Sequence, residues 1–147
     1  MADFLTKLQR SALMSRVRSK GNLSTELRFA ALLRAGRISG WRRHYPLFGR
    51  PDFVFLTQRV AVFTDGCFWH RCPHCYSSPK SNRAFWKSKV KANVARSKFV
   101  NAGLRRNGWR VLRFWEHELT HNAHRCIRKL RWTLIQNNER KKAQSAK

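Results

Sequence analysis

Directly after the apolar run Val60-Ala61-Val62-Phe63, the chain reads Thr64-Asp65-Gly66-Cys67-Phe68-Trp69-His70-Arg71-Cys72-Pro73-His74-Cys75. Three cysteines, two histidines, a carboxylate and two bulky aromatics within twelve residues leave few ways to fold. The apolar run reads as a strand buried on both faces. The Cys-x4-Cys-x2-Cys spacing supplies three soft donors, and a CxxC pair is the usual clamp for tetrahedral zinc. A fourth donor must come from elsewhere. His74 lies inside the CxxC pair, where reaching the same ion is awkward. Cys126 falls within the last expected helix, where a cysteine is commonly a small buried hydrophobe. His117, at the end of a later strand, can close the site across the sheet. The favoured set is Cys67, Cys72, Cys75 and His117, a closed and therefore structural zinc site that stitches an irregular loop to the core.

Charge says what the domain meets. Thirty-two Lys and Arg face seven acids, a formal +25. Such a surface repels itself unless a polyanion neutralises it, which points to nucleic acid. A hydrophobic content of 42%, with six Trp and ten Phe, excludes a disordered polycation. No 18-residue apolar run is present and no clean amphipathic face appears, so a membrane partner is not expected. The start lacks a continuous apolar h-region and a cleavage site, so no secretory signal is read. That favours a reducing compartment, where cysteines serve as metal ligands or free thiols.

One domain is expected from 147 residues. Residues 1–22 read as a basic arm anchored by Met14 and Val17, 23–137 as the folded domain, and 138–147 as a basic, frayed tail. Ser24 is the expected cap of a first helix that ends at Gly36, with Glu26 at its positive end. Trp41–Tyr45 reads as a strand, Gly49-Arg50-Pro51 as a turn, and Asp52–Leu56 as a strand joined by a hairpin loop to Val60–Phe63. A long basic helix is expected from Arg83 to Arg106. A fourth strand follows over Trp109–Trp115, and a last helix over Ala123–Gln136. Helix, three strands, helix, strand is the core order of the restriction-endonuclease-like α/β fold.

With so few acids, each one left near the contact surface needs a task. Asp52 opens one strand of the hairpin, and Thr64 and Asp65 end the other. Adjacent antiparallel strands bring such ends within about 5 Å. Asp52, Asp65 and the Thr64 carbonyl could thus share one hard cation, and magnesium suits one or two carboxylates plus phosphate oxygens. The competing reading pairs Asp52 with Arg50 or Arg43 as an ordinary ion pair. His70 is not needed for zinc and stands beside the proposed hard-metal site, where a neutral imidazole can activate water. Phe68 and Trp69 read either as a local mini-core or as a wedge between base pairs.

Taken together, Gly49-Arg50-Pro51-Asp52-Phe53-Val54, Thr64-Asp65-Gly66-Cys67-Phe68-Trp69-His70, Gly108-Trp109-Arg110-Val111-Leu112 and Trp115-Glu116 resemble the very short patch repair (Vsr) mismatch endonucleases. Arg10-Ser11, Met14 and Arg18-Ser19-Lys20 in the arm, Glu26, and Phe85-Trp86 with Asn93 and Arg96 add to the resemblance, which runs from about residue 10 to residue 119. It implies a restriction-endonuclease-like fold, a structural zinc, and magnesium-dependent nicking of one strand of duplex DNA at a T·G mismatch. It implies Asp52 as central magnesium ligand with the Thr64 carbonyl, His70 as general base, and Glu26 as support for the water network. Phe68, Trp69 and Trp86 would wedge into DNA from the major groove, Met14 and Val17 would clasp its other side, and Arg50 joins the expected DNA contacts. A bacterial cytoplasmic enzyme at the nucleoid, working beside mismatch-repair proteins, is also implied.

The chain departs from the family's best-known pattern in three places. Asp65 stands where a second active-site histidine is usual, Ser97 stands where aspartate is usual, and the Cys72-Pro73-His74-Cys75 loop is one residue longer. A homing or site-specific nicking enzyme without mismatch preference, and a non-catalytic zinc-containing DNA-binding module, are the competing functional readings.

Overall fold

The structure, a computed structural model, describes Thr6, Leu8 and residues 22–147. Met14, Val17 and the other arm motifs lie outside the described residues. A π-helical turn, Leu23–Leu27, continues into α1, Arg28–Ala35. Three strands follow: β1 (Trp41–Arg43), β2 (Phe53–Phe55) and β3 (Val60–Asp65). Then come α2 (Arg83–Arg106), β4 (Arg110–Trp115), α3 (Glu116–His121) and α4 (Ala123–Ser145). The strands form a mixed sheet in the order β1-β2-β3-β4. The first three are antiparallel neighbours, and β4 lies parallel to β3 after the α2 crossover.

Strand alternation sorts the side chains into two cores. Phe53, Phe55, Val60, Val62, Leu112 and Phe114 face one way and pack with Phe29 and Leu33 of α1 and Ile127 and Leu130 of α4. Ala61 and Phe63 face the other way, against Val100 and Leu104 of α2. Helices therefore cover both faces, which is why β3 is buried at all six positions. Among the described residues, no helix is long and apolar enough to cross a membrane.

Two local expectations are corrected and a third gains partners. The cap of the first helical turn is Asn22, whose side-chain oxygen accepts from the Ser24 amide at 3.0 Å and from the Ser24 hydroxyl at 2.9 Å. Glu26 lies in the first turn of that helix, as expected. It is buried and paired with Arg43 at 2.6 Å and His44 at 2.9 Å. The expected frayed tail is helical through Ser145. Asn137 donates to the Gln58 carbonyl at 3.0 Å, and Lys141 donates to the Thr57 carbonyl. Two contacts to the β2–β3 hairpin thus tie down a segment that composition alone marks as loose.

Candidate active site and metal centre

The N-terminal end of β2 and the C-terminal end of β3 lie side by side, with Phe53 opposite Val62. That register carries Asp52 to Thr64. The Asp52 carboxylate accepts from the Thr64 amide at 2.7 Å and from the Thr64 hydroxyl at 3.1 Å. Arg50 and Arg43 are not its partners in any described hydrogen bond. The turn before it is fixed by packing: Gly49 has φ +78, and a Cβ there would stand 2.2 Å from a Val100 methyl of α2. Only glycine lets the turn lie this close to the helix.

Asp52, Thr64, Asp65 and His70 all line one open cleft of about 630 Å³, together with Glu26 and Arg50. Burial pushes the Asp52 carboxyl from 3.8 up to about 6, against the opposing pull of the Thr64 amide. A half-buried carboxylate with this bias is one that a cation would relieve. Burial also pushes the His70 imidazole below its ordinary 6.5, opposed by Asp65 and helped by Arg113 and Arg96. It is therefore neutral at physiological pH. Its Nδ1 lies 3.2 Å from the Ser97 hydroxyl, and its Nε2 lies 3.7 Å from Asp65 Oδ1.

Asp65 has a partner that the sequence reading missed. Arg113 Nη1 donates to both Asp65 oxygens, at 2.9 and 3.1 Å, and Arg113 Nε donates to Asn101 at 2.8 Å. The missed signal was register. In a parallel pairing Arg113 stands opposite Phe63, on the α2 side of the sheet, two positions short of Asp65.

The loop after β3 folds on itself through Cys72 N–H to Cys67 C=O, at 2.9 Å, and Tyr76 N–H to Cys72 C=O, at 3.0 Å. Cys67, Cys72, Cys75 and His117 gather so that their donor atoms lie within 4.8 Å of one another. His117 Nδ1 stands 3.4 Å from Cys67 Sγ and 3.5 Å from Cys72 Sγ. Ligand bonds of about 2.3 Å to sulfur and 2.0–2.1 Å to nitrogen in a tetrahedron put such atoms about 3.5 Å apart, so the donor set fits a four-coordinate metal. His117 arrives from the first turn of α3, which begins where Glu118 accepts from the Trp115 amide at 2.9 Å. Cys126 is buried in the main core, and His74 is exposed with its ring 5.9 Å from that of His117.

Between the first two cysteines, Phe68 and Trp69 pack edge-on at 5.2 Å and both meet Trp86 of α2, at 5.5 and 5.8 Å. Asn93 holds the loop from α2 by donating to the Trp69 carbonyl at 3.2 Å. Trp86 is buried, while Phe68 and Trp69 are half-buried.

The family model for the DNA mismatch endonuclease Vsr matches residues 2–77. The type II nicking enzyme V.NmeDIP of Neisseria meningitidis serogroup C is 37% identical over 131 residues, 88% of this chain and 88% of that enzyme. The DNA mismatch endonuclease Vsr of Escherichia coli K12 is 38% identical over 118 residues, 79% of this chain and 74% of that protein. The type II nicking enzyme V.NaeI of Lentzea aerocolonigenes is 50% identical over 74 residues, which is 50% of this chain and 45% of that enzyme. Matching the family model over its first half and full-length relatives over most of the rest, the chain belongs to the Vsr family of DNA endonucleases.

Proposed function

We propose that this protein is a magnesium-dependent endonuclease with a restriction-endonuclease-like fold that nicks one strand of duplex DNA, preferentially at T·G mismatches. A structural zinc ion is proposed for the Cys67, Cys72, Cys75 and His117 cluster. The observation that carries the reading is the Asp52 carboxylate, half-buried and turned onto Thr64 inside a cleft that also holds a neutral His70. A polycation that only coats DNA has no use for a half-buried, desolvated carboxylate beside its contact surface.

A divalent cation, when bound, supplies positive charge against a phosphate oxygen. Asp52 and the Thr64 carbonyl would hold it, with buried Glu26 ordering water from the neighbouring wall of the cleft. With Nδ1–H donated to Ser97, the Nε2 lone pair of His70 is left to take a proton from the attacking water. The water oxygen bonds to phosphorus, the ester bond to one sugar oxygen breaks, and that oxygen is protonated from solvent. Asp65 Oδ1 stands 3.7 Å from Nε2, its charge already paired with Arg113.

Phe68, Trp69 and Trp86 are proposed as the face that meets the mismatched pair, with Arg50 on the adjoining backbone and Met14 and Val17 clasping the opposite side. Family membership supports a bacterial cytoplasmic setting on nucleoid DNA, beside mismatch-repair proteins. The deciding assay pairs a T·G heteroduplex with its matched twin, each with Mg²⁺ and without. Single-strand nicks confined to the heteroduplex and to Mg²⁺ are expected. Equal cutting of the matched duplex would point to a site-specific nickase, and no cutting of either would leave a DNA-binding module.

Affinity for DNA should fall steeply with salt, log K dropping ~0.9 for each phosphate neutralised and binding weakening roughly 10³-fold or more between 50 and 200 mM. Fluorescence anisotropy measures this, and a flat response would argue against a backbone-clasping surface.

A further inference from the structure

Arg113 is held more firmly than neutralising one carboxylate requires. Its guanidinium lies 4.0 Å over the Phe63 ring, its Nε is tied to Asn101 of α2, and its Nη1 is tied to both oxygens of Asp65. The three fixtures come from two separate elements and set both the plane and the rotation of the group. Among the described residues, Nη2 carries no hydrogen bond. The side chain is 20% exposed and lines the same cleft as Asp52 and His70. Asp65, by contrast, is 7% exposed with both oxygens engaged.

We propose that Arg113 is a catalytic residue that grips a non-bridging oxygen of the scissile phosphate, and that Asp65 is its positioning residue. This rests on the endonuclease reading above. The cleft wall carries the carboxylates of Glu26, Asp52, Asp65 and Glu116, so a phosphate entering it is repelled unless cations are fixed there. A planar guanidinium is the side chain whose donors match phosphate oxygens, and its charge persists at any physiological pH. Held in advance, it meets the charge that grows on those oxygens as the attacking water adds, without having to reorganise. Asp65 then has a reason to be buried with both oxygens on one guanidinium: it aims Arg113 instead of coordinating the metal directly.

The test compares Arg113→Gln, Arg113→Lys, Asp65→Asn and the Asp65→Asn/Arg113→Gln double variant with the wild type in single-turnover nicking of a T·G duplex. Fold is checked for each by thermal melting. Arg113→Gln is expected to nick ~10²-fold more slowly, the effect of removing one preorganised donor to a developing charge. Its affinity for uncut duplex should change only a few-fold, and its half-saturating Mg²⁺ should stay put. The lysine variant should recover part of the rate. Asp65→Asn should slow nicking at saturating Mg²⁺ without raising the Mg²⁺ required, and the double variant should be no slower than Arg113→Gln, because one residue acts through the other. In binding alone, the wild type should prefer a nicked duplex bearing the terminal phosphate over the dephosphorylated nick, and Arg113→Gln should lose that preference.

A large rise in the Mg²⁺ required by Asp65→Asn would make Asp65 a metal ligand and overturn the assignment. So would full activity in Arg113→Gln. A wild type that nicks no DNA defeats the parent reading itself; a wild type that nicks while Arg113→Gln nicks equally well defeats only this one.

Discussion

Asp52→Asn should lower the single-turnover nicking rate by ~10³-fold or more, since a cation at a phosphate oxygen contributes several kcal/mol to the transition state and each ~1.4 kcal/mol is tenfold in rate. DNA affinity should stay within a few-fold, because the basic surface is untouched. The same change should make the Mg²⁺-free protein more stable. Burial raises the Asp52 carboxyl from 3.8 to about 6, so the folded state binds its proton more tightly than the unfolded chain does. Wild-type stability therefore falls as pH rises from about 4 to about 6, and above that window the ionised carboxylate costs about 3 kcal/mol. Asparagine keeps an acceptor for Thr64 without the charge. Urea melts of zinc-loaded, Mg²⁺-free protein should favour Asp52→Asn at pH 7.5, with the gap closing by about pH 4.5. A variant that nicks normally would move the metal elsewhere. A variant less stable at pH 7.5 would mark Asp52 as structural.

Cys67→Ser should lose the fold and not merely the rate. Structural zinc in small sites is worth about 10–16 kcal/mol at neutral pH, as large as the whole stability of a typical domain. Cys67 anchors one end of the loop that carries Phe68, Trp69 and His70, and Cys72 anchors the other. Without the ion, the half-buried aromatics lose their seat against Trp86, so aggregation and a missing cooperative melt are expected, with less than one equivalent of zinc by elemental analysis. Cys126→Ser supplies the contrast. That thiol lies in the main core, so its loss should cost only about 1–3 kcal/mol and leave the zinc content unchanged. A well-folded, zinc-free Cys67→Ser protein would contradict the structural role.

Much of this was legible in the residues because the informative contacts are local or tied to strand ends. A hairpin of known loop length fixes its own pairing, so Asp52 beside Thr64 follows from two short strands. Soft donors have few uses, so three cysteines identified a cluster and His117 could be chosen over His74 and Cys126. The Asp65–Arg113 pair was not legible, because it depends on parallel register across the 24-residue helix α2. In a chain this basic, one more arginine on a strand gives no signal. Nor was the length of α4: a polar, basic run looks frayed until its contacts to the hairpin loop are seen. Asn22 and Ser24 are both good caps, and only the geometry chose between them.

Helix α2 touches the cleft and its rim at Asn93, Ser97 and Asn101, through the Trp69 carbonyl, the His70 ring and the Arg113 guanidinium in turn. Steps of four residues lie on a single stripe about 6 Å apart. The helix is thus a camshaft for the site: a turn or slide that loosens one follower loosens all three. Prying at Trp86, on the same rod, would disturb His70 and Arg113 together, so that under the proposed mechanism gripping the target and readiness to cut would share one mechanical part.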